Sequence, residues 1–352
     1  MFYLTSEITI GGEVVKANKV TWKTSVNSFT DTCTITLPRS QYLKTEKVVT
    51  EDIEQERKVY AFKEDDKVTV KLGYDGRNEI RFMGFVKRVN MGTPVKIECE
   101  GYNYQLYDVM FSKTYTSISV KQLLKDVIAG TDIKLSDEIP DIPLKNIRFK
   151  NATGSQILEW LVKECKLAVY FHFDTLYVGT LYGKKQERIK VSLGWNTVKE
   201  EDLKKKEEDK NLKIVITEKN PAGEVKKLKG KDGQVLKTTK HRTERKRIDR
   251  YSNEKEIKVR AGMPAKFLKE IAERLQTKEN YRGYQGDITI FLEPTAYKGM
   301  VCEITDKVFE ERAGHYFIES VSGEFGEGGG RQTLTLGYLM ENKENDRGGY
   351  KK

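Results

Sequence analysis

Short runs of alternating apolar and polar residues dominate the start of the chain. ITIGGEVV at 8 to 15 predicts a hairpin around Gly11 and Gly12, two residues free to take positive φ. From Phe29 onward Cys33, Ile35 and Leu37 alternate with Thr32, Thr34 and Thr36, the period of two that buries one face of a strand. The charged stretch from Lys44 to Lys58 interrupts this alternation and reads as a mobile connection. VTVKLGYDG at 68 to 76 and FMGFVKRV at 82 to 89 predict two strands joined near Asp75 and Gly76, and VKIECEGYNYQL at 95 to 106 continues the meander. Strands and turns at this spacing predict a first barrel or sandwich over residues 1–106.

The period then lengthens. ISVKQLLKDVIAG at 118 to 130 places Val120, Leu123, Leu124, Val127 and Ile128 on one helical face, with Ser119 as cap and Gly130 as stop. ATGSQILEWLVKECKL at 152 to 167 repeats the design through Ile157, Leu158, Leu161 and Val162, and LAVYFHFDTLYVG at 167 to 179 reads as a hairpin. Residues 107–183 are thus expected to form an α+β middle module. Strands resume in LKIVITE at 212 to 218, with turns at Asn220 to Gly223 and at Asp232 and Gly233. A helix beginning near Pro264 carries Phe267, Leu268, Ile271 and Leu275 as its apolar stripe. Four further strands, GDITIFLEP, GMVCEITD, HYFIESVSGEF and RQTLTLGYL, complete a second β unit over 184–341, which becomes discontinuous if its helix packs on the middle module. The polar residues 342–352 are expected to fray. The fold class that follows is α+β and β-rich, with two β-barrel domains and a helix-containing module between them.

Composition narrows the function classes. The chain has 352 residues, enough for two or three cores, and its 38% hydrophobic content includes no run near the ~20 apolar residues of a spanning helix, so no membrane insertion is expected. MFYLTSEITIGGEVV lacks a basic segment followed by an apolar run, so no secretory signal is read there and a cytoplasmic start is expected. The formal charge of +10 suits a polyanionic partner. Its distribution argues otherwise: KEEDLKKKEEDK at 199 to 210 mixes both signs as a solvated surface does.

Candidate chemistry is sparse. Cys33, Cys99, Cys165 and Cys302 lie far apart with no CxxC spacing, which predicts buried free thiols. His172, His241 and His315 show no metal-ligand spacing, so neither a metal nor a cofactor is expected. His172 stands two residues before Asp174 in the YFHFDT strand, where both side chains would share a face, yet no nucleophile motif accompanies them. GEFGEGGGR at 323 to 331 is read as a flexible connection between strands, since no helix follows to hold phosphate. No catalytic residue is assigned, and the chain is read as a non-enzymatic assembly protein.

The order of segments carries a resemblance. KVTVKLGYDGRNEIRFMGFVKRV, then PVKIECEGYNYQL, paired helices, a late helix, YQGDITIFLEPTAYKGMVCEITD and HYFIESVSGEF resemble the late control protein D family. These are baseplate hub proteins of contractile-tailed phages, similar to the hub part of VgrG proteins in type VI secretion. The resemblance implies a homotrimer whose paired β-barrels form a pseudo-sixfold ring. It also implies a trimeric spike below, here a separate chain because only a short tail follows Leu339, with tail-tube protein above, the tape-measure protein in the lumen and other baseplate proteins around it. The location implied is the baseplate of a virion tail or injection device, assembled in the bacterial cytoplasm. Two alternatives stay open at this point. One is a nucleic-acid-binding β protein, motivated by KTTKHRTERKRIDR at 237 to 250; the other is a tail-associated cell-wall hydrolase.

Overall fold

A computed structural model describes residues 3–50, 53–183, 186–200, 202–209, 212–219, 225–229, 235–236, 253–260 and 262–340. The expected turns at 220–223 and 232–233, the basic run at 237–250 and the polar tail at 342–352 lie outside the described residues.

Strands β1 (Leu4–Ile10), β2 (Glu13–Val15), β3 (Lys19–Ser25), β4 (Thr32–Leu37), β5 (Lys67–Tyr74), β6 (Arg77–Asn90) and β7 (Val95–Glu100) form the first β unit. Alternation dictates their burial: Cys33, Ile35 and Leu37 of β4 point inward with Ile97 and Cys99 of β7, their partners across the ladder. The GYDG turn works as the sequence requires, with Asp75 at φ 52° and Gly76 at φ 83°, the positive values that join two strands tightly. Two readings change here. The stretch from Lys44 to Lys58 is not an unstructured connection but a hairpin, Leu43–Thr50 paired with Ile53–Tyr60. VKIECEGYNYQL is strand only to Glu100, after which Tyr102–Tyr107 turns into a 3-10 helix that buries Tyr102, Asn103 and Leu106.

The middle core collects helices α1 (Val120–Val127) and α2 (Gly154–Lys163). Ser119 caps the first by accepting from the Gln122 N–H, and Thr153 and Gln156 close a capping box on the second. Helix α3 (Ala265–Glu279) starts one residue after Pro264 and contributes Leu268, Ile271 and Ala272 to this same core. Strands Leu212–Lys219 and Asn253–Arg260, paired in parallel, bring Ile216 and Val259 to it as well. Gln276 of α3 fixes the arrangement by accepting from the Ile214 N–H at 2.9 Å and donating to the Leu212 carbonyl at 3.0 Å, which satisfies the start of that strand before its pairing with Val225–Lys229 begins at Val215.

The last β unit contains β8 (Thr197–Lys199), β9 (Gly283–Phe291), β10 (Gly314–Gly326) and β11 (Gly329–Leu339), with Arg188–Ser192 and Val301–Thr305 paired in parallel beside them. It does not stand apart. Strand β10 pairs antiparallel with β3 from Ser320↔Ser25 to Gly326↔Lys19, so one sheet runs β8-β9-β11-β10-β3-β4-β7-β6-β5-β1-β2 through both units. Two β-barrel domains were expected; among the described residues strands of both units share one continuous ladder, and no closed barrel is found.

GEFGEGGGR is also more ordered than a flexible connection. Gly323 and Gly326 lie within β10, and Gly323 faces Trp22 across the seam. A Cβ at Gly323 would stand 2.2 Å from the Trp22 ring, so the glycine makes room for the indole. Gly323→Ala is therefore expected to destabilise the protein by roughly 1–3 kcal/mol, read by denaturant unfolding followed through tryptophan fluorescence. A change near zero would show that the indole is not seated there.

Candidate functional site

Where β3 meets β10, polar side chains that would ordinarily face water are buried together. Arg81 of β6, only 3% exposed, donates through Nη2 to the Leu292 carbonyl at 2.8 Å and the Thr295 hydroxyl at 3.1 Å, and through Nη1 to Gln332 Oε1 at 3.3 Å. Gln332 of β11 is fully buried. Its Nε2 donates to the carbonyls of Phe291, Leu292 and Pro294, and its Oε1 also accepts from the Ala296 N–H at 3.2 Å. The loop 292–296 thus cannot lift away without stranding buried hydrogen-bonding groups. Tyr74 donates to the Gly330 carbonyl at 2.9 Å and Tyr297 to the Ile80 carbonyl at 3.0 Å, so each β unit reaches into the other. Leu292 and Phe325 follow the same logic and join the apolar core of the first unit.

Lys298 and Asp31 complete the seam as a buried ion pair at 2.5 Å, with side chains 4% and 10% exposed. Burial dominates both groups. It pushes the Asp31 carboxyl above its usual range and the Lys298 ammonium below its own, and their mutual attraction and hydrogen bond only partly oppose this. Such a pair fixes geometry more than it adds stability, because desolvation consumes most of its Coulomb energy.

The middle module touches the seam through the turn of one hairpin. Ala168–His172 pairs with Thr175–Gly179, and the rings of His172 and Phe173 both pack edge-on against Tyr297 at 5.6 Å. The expectation that His172 and Asp174 share a face is corrected here. Phe173 takes φ 53° and turns the chain, so Asp174 leaves the strand and pairs with Lys134 at 2.7 Å. Burial and the neighbouring Lys298 lower the His172 pKa. The cysteines are all buried free thiols, and burial raises their pKa, for Cys165 and Cys302 to about 12, which leaves no thiolate at neutral pH. Among the described residues no three His, Cys, Asp or Glu side chains come together as a metal site, and no helix is long and apolar enough to cross a membrane.

A second surface lies at the far edge of the sheet. Trp195, Val308 and Phe309 are 85%, 78% and 51% exposed on two loops that Arg312 ties together by pairing with Asp306 and with Glu200 at 3.2 Å. Asp306 stiffens its loop by accepting from the Val308 and Phe309 N–H groups.

The sequence left traces of the seam that alternation alone did not decode. Asp31 has the parity of Cys33, Ile35 and Leu37, and Gln332 that of Leu334 and Leu336, so each is a polar residue at a core position. Lys298, in an irregular segment, left no such signal.

No family model matches the sequence, and no curated protein matches it. Solved structures do match its fold. The 43 kDa tail protein of prophage MuSo2 from Shewanella oneidensis superposes with a TM-score of 0.59 at 14% identity, covering 94% of this chain and 97% of that one. A tail protein from Neisseria meningitidis MC58 gives 0.58 at 12% identity, covering 95% and 96%. A component of the type VI secretion system of E. coli, described as structurally similar to the T4 bacteriophage tail proteins gp27 and gp5, gives 0.54 at 10% identity, covering 95% and 77%. The chain therefore has a fold shared with phage tail proteins along nearly its whole length.

The ion pair makes a sharp prediction. Lys298→Met alone is expected to cost about 3–5 kcal/mol by stranding Asp31, whereas Lys298→Met with Asp31→Leu recovers most of that loss. Urea unfolding of the two variants decides it; equal losses would show that the pair contributes packing alone.

Proposed function

We propose that this chain is a structural, non-enzymatic hub of a phage-type tail baseplate or related injection device. The observation that carries the reading is the end-to-end likeness to tail proteins, in which nearly all of both chains superposes rather than a single shared domain. The closer assignment, a hub of the late control protein D kind, rests on the segment order read from the sequence.

In this reading the two β units, 1–106 and 184–341, act as related barrel-like modules fused in one chain, with 107–183 as the middle module. Three of the four buried clusters support the division, one in the first β unit, one in the last and one around α1, α2 and α3; the fourth, Val26, Ala168, Tyr170, Tyr177 and Phe317, lies where the three parts meet. The second unit is discontinuous, since residues from 212 to 279 contribute to the middle core. Three such chains present six β units, matching a hexameric tail tube above and a trimeric spike below. That makes the ring an adaptor between symmetries. The seam gives this role its physical basis, because a symmetry adaptor must hold its two half-units at a fixed angle under load. The exposed Trp195, Val308 and Phe309 edge supplies a surface for neighbouring subunits or baseplate proteins, and the tape-measure protein occupies the lumen.

Co-expression with a candidate spike, followed by mass measurement and particle imaging, tests the proposal. The expected species contains three copies of the 40.6 kDa chain in a threefold ring. A chain that remains monomeric with the spike present contradicts it.

A further inference from the structure

The seam contains a buried charge with no carboxylate in ion-pair contact among the described residues. Arg81 is a permanent cation, and arginine is seldom this deeply buried without a carboxylate partner. Among the described residues none stands within ion-pair distance of it; Glu79 and Glu293 act on it only through their more distant field. Its hydrogen-bond partners, Leu292, Thr295 and Gln332, offer neutral oxygens, and its Nε is buried and donates to nothing. Asp31, the carboxylate that lines the same pocket, is already bound to Lys298. The buried ionic groups of the seam, Arg81, Lys298 and Asp31, therefore sum to one net positive charge, which Glu79 and Glu293 offset only from the exposed surface.

These three residues line one small pocket, partly open to solvent, whose wall is completed by His172, Phe173 and Tyr297 among others. Its volume of about 20 Å³ accommodates a single water-sized group. Size and charge then select the occupant. Water would fill the space but leave the excess charge, and a tetrahedral oxyanion such as phosphate is too large.

We propose that this cavity holds a small monovalent anion of halide size, which compensates the buried Arg81 and locks the junction of the two β units with the His172–Phe173 turn. The inference does not depend on the baseplate reading, since it concerns the single folded chain.

Two measurements on the full-length protein test it. Crystals grown in sodium bromide should show an anomalous bromide peak in the cavity beside Tyr297 and Lys298. Thermal unfolding in sodium chloride should lie about 2 °C or more above that in sodium gluconate at equal ionic strength, a bulky anion that cannot enter, and Arg81→Met should abolish most of that difference. A cavity containing only water in the bromide crystals overturns the proposal. So does an Arg81→Met variant that keeps the full chloride dependence; if that variant fails to fold, the bromide map alone decides.

Discussion

The antiparallel pairing of Lys19–Ser25 with residues 320–326 is the constraint on which the architecture depends, because it turns two β units into one sheet. Backbone hydrogen bonds alone would allow the units to slide or splay. The side chains beneath them do not. Arg81 and Gln332 stand 251 residues apart and Asp31 and Lys298 267 apart, yet each pair meets in the buried seam, where any relative movement exposes the same polar groups to a dry interior. Contacts at such separations couple the two ends of the polypeptide and carry the entropy cost of closing a long loop.

The middle module is attached by different means. Its core is apolar and takes in α3 and the paired strands Leu212–Lys219 and Asn253–Arg260, which follow β8 and precede β9 in the chain. The polypeptide leaves the last β unit, adds a layer to the middle module and returns. The module is secured through this excursion, through the His172–Phe173 turn lodged on Tyr297, and through Ala168, Tyr170 and Tyr177, which share a buried cluster with Val26 and Phe317. Together the excursion and the seam join all three parts through contacts between residues distant in sequence.

Much of this was legible locally and little of it globally. The helical stripes of α1, α2 and α3, the caps at Ser119 and Thr153 and the GYDG turn follow from periodicity and backbone preference, which act over a few residues. The hairpin at 43–60 was missed because its charged residues fall at both parities, leaving no apolar face to detect. The glycines between 323 and 331 suggested freedom, whereas Gly323 is required by the bulk of Trp22, a partner some 300 positions away. Strand alternation shows which side chains turn inward, but a strand edge carries no record of its partner, so the joining of two expected barrels into one open sheet could not be read in advance. Asp31 and Gln332 were visible as polar residues at core parity; what they bind was not.

The central claim is that the seam makes the two β units one cooperative body. Native-state hydrogen exchange of the intact chain tests it most directly, with amides of β3 and β4 compared with those of β10 and β11 as denaturant is raised. The account predicts that both sets lose protection together, through a single opening reaction with the same free energy and the same denaturant dependence. Separate opening of the first and last β units, with β10 exchanging while β3 remains protected, would contradict it.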